Sequence, residues 1–319
     1  MHQHMTTHLN NPQEVQVICI DPGFGDCKWL TKSKSGKFST AIKRADTSVL
    51  KFDVKGGDIS LNKDEYLFNG SKWYVGNAIA EMNALATRDY SFIEKFAPLI
   101  AYKAITDARL DITKPIRIKT CLSIMNYENK EAFAKAMSTI NVNNQVINCE
   151  VDVIAQGFAS FIDYVVTNDI DSARMYTVTN IGFNTIDFCV ILGGQVIYST
   201  ASPNGANEIV KPLRQLLESK FKLYFNEQEV KQVLLERQIT VSGKKVDLSE
   251  EIFEIKAQYF ETFFYSLPDI REYLRKADKN IFAGGGAYFL QGANLDDNMT
   301  FVNQPFEFSD VRGVSSYEQ

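Results

Sequence analysis

The sequence predicts an α/β protein made of two domains with similar cores. Three observations carry this expectation. The chain has 319 residues, which at about 150 residues per domain suggests two domains. A short β-rich run that stops at a turn and leads into a hairpin occurs twice, and Asp21 of the first turn stands 159 positions before Asn180 of the second. Between and after the two copies, apolar residues recur at helical spacing, so strands and helices alternate.

Composition narrows the function classes. Apolar residues make up 45% and charged residues 23% of the chain, a balance that excludes wholesale disorder. Lys and Arg total 34 against 39 Asp and Glu, a net charge of −5, and no basic cluster is dense enough for a nucleic-acid surface. The longest apolar runs, residues 15–20 and 188–192, are far shorter than the ~20 residues of a bilayer span. The opening segment from Met1 to His8 lacks the apolar core of a signal peptide. A soluble, cytoplasmic protein with neither membrane nor direct nucleic-acid partner is therefore expected.

The five cysteines, Cys19, Cys27, Cys121, Cys149 and Cys189, are odd in number, far apart and without a CxxC pair. They read as buried reduced thiols, not as a zinc site or a disulfide framework. All three histidines, His2, His4 and His8, fall in a polar tail, residues 1–13, that is expected to be disordered. A Ser-His-Asp triad, a Cys-His dyad or an HExxH zinc site in the folded body is thereby excluded.

The elements follow in order. Residues 15–20 form a strand ending at Asp21-Pro22-Gly23-Phe24-Gly25-Asp26-Cys27-Lys28. Strands at 29–34 and 38–43 about Ser35-Gly36 make a hairpin, where a dinucleotide fingerprint would require a helix and a third glycine. Residues 51–70, polar and glycine-containing, read as a surface insertion. Residues 89–108 read as a helix with Lys103 on its exposed side, and 130–137 as another, with strands at 116–124 and 148–154. The second copy places a strand at 175–179, a turn at 180–187, and strands at 188–192 and 195–200 about Gly193-Gly194. Helices at 206–222, 227–237 and 249–266 follow, then a strand at 280–283 and the turn Gly284-Gly285-Gly286-Ala287. Aligned without gaps, Asp21 stands opposite Asn180, Gly23 opposite Gly182 and Phe24 opposite Phe183, an internal repeat.

Three glycine turns, each directly after a strand, are what a phosphate-gripping cleft needs, because glycine lets backbone N–H groups approach an anion. From the first turn, the N–H groups of Gly23, Phe24, Gly25, Asp26, Cys27 and Lys28 can fold around a phosphate. Lys28 adds charge there, and Asp21 can hold water on a magnesium ion. From the second, Gly182, Phe183, Asn184 and Thr185 could grip from the opposite domain. Taken singly, either turn reads better as a mere tight hairpin.

The three turns together, in this order and spacing, resemble the actin, Hsp70 and sugar-kinase superfamily, whose phosphate 1, phosphate 2 and adenosine motifs they match over roughly residues 15–313. The resemblance implies two actin-like, ribonuclease H-like domains around a nucleotide cleft. They would span residues 14–157, with 306–319 returning to the first, and 158–305. Within the superfamily the chain is most similar to plasmid-segregation actins of the ParM/StbA type, on its length, on Tyr74-Val75-Gly76-Asn77-Ala78, on Arg88-Asp89-Tyr90 and on the ending Phe308-Ser309-Asp310-Val311-Arg312-Gly313.

The same resemblance assigns nucleotide contacts to Asn180, Gly205, Gly284, Gly285, Gly286 and Ala287 as well as to the two phosphate turns. Its cofactors would be ATP or GTP with Mg2+, with Asp21 reaching the metal through water. Gln156, in the segment crossing between the domains, would orient the attacking water, which suits hydrolysis by positioning. Its partners would be further copies of the chain in a filament, and a DNA-binding adaptor protein. Two positions depart from the pattern: Asn180 stands where relatives usually have Asp, which removes a negative charge beside the metal, so that either turnover is slowed or Asp21 carries the metal alone, and Ala155 stands where many have Pro. Two other readings remain open. One is a small-molecule kinase with Asp152 as base; the other is a nucleotide-gated scaffold that does not polymerise.

Overall fold

The computed structural model describes residues 14–45, 64–80, 89–266, 268–291 and 296–318. The expected tail at 1–13, with its histidines, and the part of the expected insertion at 51–63 lie outside these residues.

In the first half, β1 (Gln16–Pro22), β2 (Asp26–Leu30) and β3 (Ser35–Ser39) form an antiparallel meander. Next come β4 (Ile42–Arg44), β5 (Glu65–Phe68) and β6 (Ser71–Val75), which make a small sheet of their own, and then helices α1 (Asn77–Ala80) and α2 (Tyr90–Ala108). β7 (Ile116–Leu122), α3 (Lys130–Ser138), β8 (Thr139–Val142) and β9 (Gln145–Ala155) complete a six-stranded sheet of order β3-β2-β1-β7-β9-β8. β7 lies parallel to both β1 and β9. Asp89 caps α2 by accepting the Phe92 N–H at 3.0 Å, and Phe96, Leu99, Ile100 and Ile105 of that helix are buried against the sheet.

Helix α4 (Phe158–Thr167) crosses to the second half. There β10 (Met175–Ile181), β11 (Ile186–Leu192) and β12 (Gln195–Ser202) repeat the meander, followed by α5 (Asn207–Phe221), α6 (Glu227–Glu236), a hairpin of β13 (Gln238–Val241) and β14 (Lys244–Asp247), α7 (Ser249–Ser266) and α8 (Pro268–Lys276). β15 (Lys279–Ala283) and β16 (Met299–Phe301) finish a five-stranded sheet of order β12-β11-β10-β15-β16, and α9 (Ser309–Ser316) ends the described chain.

The repeat holds residue by residue. Asp21 pairs with Lys28 and Pro22 with Cys27 in the first hairpin, and Asn180 pairs with Asp187 and Ile181 with Ile186 in the second. In each sheet a parallel strand then joins the other edge of the first strand. The two sheets are tied through α4 and α9. Helix α9 packs on α4 and on β1 and β7, and its Gly313 is the closest point, since a Cβ there would fall 1.7 Å from the Ala159 carbonyl oxygen. Arg312 grips Asp163 of α4 with two 2.7 Å hydrogen bonds, a bidentate pair that fixes the crossing. The fold is thus α/β, with two similar domains.

Three local expectations are corrected. The first hairpin turns at residues 31–34, where the Thr31 N–H donates to the Lys34 carbonyl. Gly36 lies within β3 opposite Trp29 because the indole lies flat over it, and a Cβ there would meet the ring at 2.6 Å. Residues 65–68 form a strand with Tyr66 and Phe68 buried, so the alternation of that stretch marks core and not a surface insertion. Lys103 is buried, its ammonium paired with Asp64 at 2.7 Å and Asp107 at 3.3 Å.

Candidate functional site

The ends of β1 and β10 and the turn after β15 converge on one cavity of about 500 Å³ between the two sheets. Asp21, Gly23, Phe24, Gly25, Asp26 and Lys28 line it from the first turn, and Asn180, Gly182, Phe183 and Thr185 from the second. Gly284, Gly285 and Gly286 line it from the third turn, and Gln156 from the crossing.

Four predicted residues lie outside its wall. Cys27 is fully buried in the first core and Ala287 in the second. Gly205 stands behind the second turn, its N–H donating to the Asn184 carbonyl at 3.1 Å. A Cβ at Gly205 would lie 2.6 Å from the Phe183 oxygen. Gly205 and Asn184 therefore shape the second turn from the rear.

The first turn is held by its own strand ends. Lys28 Nζ donates to Asp21 Oδ2 at 3.3 Å, and Gln156 Nε2 donates to Asp21 Oδ1 at 2.9 Å. Burial works against the Lys28 charge, but Asp21 and Asp26 outweigh it and raise its pKa, so the ammonium persists. Thr40 braces the turn from β3's end, its hydroxyl donating to the Phe24 carbonyl at 3.0 Å and its N–H to that of Gly25 at 3.2 Å.

The second turn is latched to the start of α5. The Ala206 and Asn207 N–H groups donate to the carbonyls of Gly182 at 2.9 Å and Phe183 at 2.8 Å. The two turns meet, since a Cβ at Gly25 would lie 3.3 Å from the Phe183 side chain. On the Phe183 ring lies Lys231 Nζ, 3.7 Å from the centroid, a cation–π contact that brings a second ammonium into the cavity wall.

In the third turn the glycines have separate jobs. Gly284 has φ +79°, and a Cβ there would strike Asn180 Oδ1 at 2.4 Å. At Gly286 a Cβ would strike Ile181 Cγ2 at 2.2 Å. Gly285 has open space, the nearest atom being Glu307 Cβ at 3.7 Å. Gly284 and Gly286 let the turn pack on β10; Gly285 leaves backbone bare toward the cavity.

Sequence reasoning missed two buried carboxylates. Asp310, from the first turn of α9, lines the cavity and accepts from Asn180 Nδ2 at 2.6 Å and Ser160 Oγ at 2.8 Å. Burial, then the nearby Asp21 charge, pushes its pKa up to about 6. The expectation that Asn180 leaves its end of the cavity short of a carboxylate is corrected by this contact. Asp187 accepts from Ser123 Oγ at 2.7 Å and the Ile124 N–H at 2.6 Å, linking β11 to the end of β7, and burial pushes it up to about 7. The repeat itself could have flagged Asp187, which stands 159 positions after Lys28. No local pattern marks Asp310.

The residues present suit a hydrated divalent cation beside phosphates. Among the described residues no group of three or more His, Cys, Asp or Glu side chains is arranged to hold a metal ion, so a cation here would keep most of its waters, as magnesium does. Asp21 and Asp310 offer oxygen ligands to such a shell, Lys28 offers charge to an anion, and Gly285 leaves backbone open toward the cavity. Asp152, the base of the kinase reading, instead pairs with Arg117 Nε at 2.6 Å and lies outside the cavity wall. Among the described residues no helix is long and apolar enough to cross a membrane.

Two family models match the chain. Residues 19–158 match the N-terminal domain of actin-like proteins, and residues 178–296 match the C-terminal domain of archaeal MreB-like actin homologues. No curated protein sequence matches. Among solved structures, the chain is similar to a ParM from Clostridium botulinum in a 15-stranded filament, with 17% identity, TM-score 0.76, and 94% of this chain and 97% of that chain covered. An archaeal actin homologue in complex with ADP gives 14% identity and TM-score 0.74 at 94% and 97% coverage. Bacillus thuringiensis ParM with ATP gives 16% and 0.64 at the same coverage. With both halves matched in order and the two-domain architecture in place, the chain belongs to the actin-like superfamily.

Proposed function

We propose that this chain is a cytoplasmic actin-like ATPase that binds Mg-ATP, polymerises into filaments and serves DNA segregation through a DNA-binding adaptor protein. The observation that supports this reading best is the convergence of the three glycine turns on one cavity that also holds Lys28, Asp21 and Gln156. Its domains are residues 14–157 with 306–319, and 158–305.

The first turn and Lys28 would hold the phosphates, the ammonium being kept charged by Asp21 and Asp26. The apolar wall from Val210, Leu234 and Phe289 suits a nucleobase, whose flat faces favour such surfaces. Gln156 uses its Nε2 on Asp21, which leaves its Oε1 to accept from a water and hold it in line. Magnesium, when bound, would neutralise charge on the phosphate oxygens. Filament formation is supported by the likeness to a ParM solved as a filament. GTP in place of ATP is the variant to be compared.

Light scattering and phosphate release, followed in one sample after adding ATP and Mg2+, test the reading. Scattering that rises and then decays as phosphate appears is the expected result. Phosphate release without scattering would favour a soluble enzyme, and nucleotide binding with neither signal a gated scaffold.

A further inference from the structure

Four carboxylates line the cavity, Asp21, Asp26, Glu307 and Asp310. Glu307 is paired with Lys37 and Asp26 is half-exposed, while Asp21 and Asp310 are buried and their surroundings differ. Asp21 has a cation of its own, Lys28 at 3.3 Å. Asp310 is 5% exposed, lines the cavity, and is bonded by neutral groups: Asn180 Nδ2 at 2.6 Å and Ser160 Oγ at 2.8 Å. Ser160 is itself 2.9 Å from Ser309 Oγ, so the hydroxyls and the amide form one neutral cradle around a single carboxylate. Among the described residues no Lys or Arg forms an ion pair with it. A buried carboxylate that has donors but no counter-ion, and that opens on a cavity, is poised for a cation that arrives from that cavity.

The repeat shows why the carboxylate comes from α9. Asn180 occupies in the second hairpin the place Asp21 holds in the first, each the penultimate residue of its strand and paired across to residues 187 and 28 respectively. An amide at that strand end cannot face a cation with charge, but it can donate, and its donor points at Asp310.

We infer that Asp310, aimed by Asn180 and Ser160, is the principal carboxylate facing the divalent cation that enters with the nucleotide phosphates, with Asp21 in support. This rests on the nucleotide reading above. The acidic group of the second domain's side has moved from the strand end to the C-terminal helix, and Asn180 has become its positioning residue. Asp21 serves chiefly to hold Lys28 and Gln156.

Calorimetric titration of ADP across a range of magnesium concentrations, with an EDTA control, tests the assignment without relying on turnover. Asp310→Asn keeps the shape, and its amide can pair with the Asn180 oxygen, so the fold should survive. The expected result is ADP affinity in EDTA that is unchanged or tighter, with the magnesium concentration for half-maximal enhancement raised about tenfold or more. The exchange variant Asn180→Asp with Asp310→Asn returns the carboxylate to the strand end and should recover most of that shift. Asn180→Asp alone sets two carboxylates against each other, one of which must hold a proton, and should not improve on wild type.

A wild-type magnesium midpoint in folded Asp310→Asn would overturn the inference while leaving nucleotide binding intact. Wild-type protein that binds ADP with no magnesium dependence would overturn it too. Absence of nucleotide binding in the wild type would instead sink the parent reading, and this inference with it. Should Asp310→Asn not fold, the exchange variant decides: a near wild-type midpoint supports the assignment, and a lost one overturns it.

Discussion

Gln156 Nε2 donates to Asp21 Oδ1 at 2.9 Å, so the residue that follows β9 is fastened to the penultimate residue of β1. Its own N–H is held by the Leu122 carbonyl at 2.8 Å, and Gly157 beyond it turns with φ +76° into α4. The amide is therefore fixed at both backbone and side chain, as positioning a water requires. Gln156→Ala leaves Asp21 held by Lys28 and leaves the turns untouched. It should bind ATP with near wild-type affinity, slow phosphate release by about tenfold to a hundredfold, and lengthen the life of any polymer. Sedimentation and phosphate release on the same samples check this; a wild-type rate would move the water-positioning role elsewhere in the cavity.

The three glycines of the third turn should separate by phenotype. Gly285→Val puts its side chain into open space, the nearest atom to its Cβ being 3.7 Å away, and should fold normally while losing nucleotide affinity. Gly286→Val drives a side chain into Ile181 and should destabilise the fold itself, by a few kcal/mol at about the scale of core overpacking. Thermal melts beside calorimetry distinguish them. A folded Gly285→Val that binds ATP normally would remove the third turn from the site.

Much of this was legible in the sequence because the repeat is local. Strand, turn and hairpin are contiguous, over residues 16–39 in the first copy and 175–202 in the second, so Asp21, Lys28, Asn180 and the glycines could be placed by pattern alone. What stayed hidden depends on distant chain. Asp310 reaches Asn180 across 130 positions, through a helix crossing that one glycine permits, and no periodicity announces it. Lys103 is hidden for the same reason: its helical position looks outward until Asp64, distant in sequence, pairs with it. Glycine is the usual turn signal, but at Gly36 the missing side chain makes room for the Trp29 indole within the strand.

Lys103 carries a stability prediction. Its side chain is 6% exposed and bridges two carboxylates, Asp64 at 25% and Asp107 at 35%, while its Nζ lies 5.0 Å from the Phe38 ring centroid. Lys103→Met keeps the packing of the methylenes but leaves both acids without their cation. Because those acids are partly solvated, the loss should fall short of a fully buried broken pair, at about 1–3 kcal/mol. Urea denaturation would show a lower midpoint with the slope unchanged. An unaltered midpoint would mean that the ammonium's desolvation cancels its pairings.

Asp187 should make stability depend on pH in a defined window. Burial raises its folded pKa to about 7, above the unfolded value of about 3.9. The folded state therefore holds the proton more tightly, and its contribution to stability is present at low pH and is lost as pH rises through the folded value. Asp187→Asn has no proton to lose, and its Oδ1 can accept from Ser123 and Ile124 as the carboxyl does. The melting temperature of the variant minus that of the wild type should thus grow from about pH 4 to about pH 7 and level off above. Asp310, raised to about 6, titrates in both proteins, and its charge is one of the causes that raise Asp187. Since Asp187 joins β11 to the end of β7, its ionisation also loads the link between the two domains. A difference that stays flat across the window would show that Asp187 titrates near its ordinary value and that its burial is offset by the hydrogen bonds it accepts from Ser123, Ile124 and Thr185.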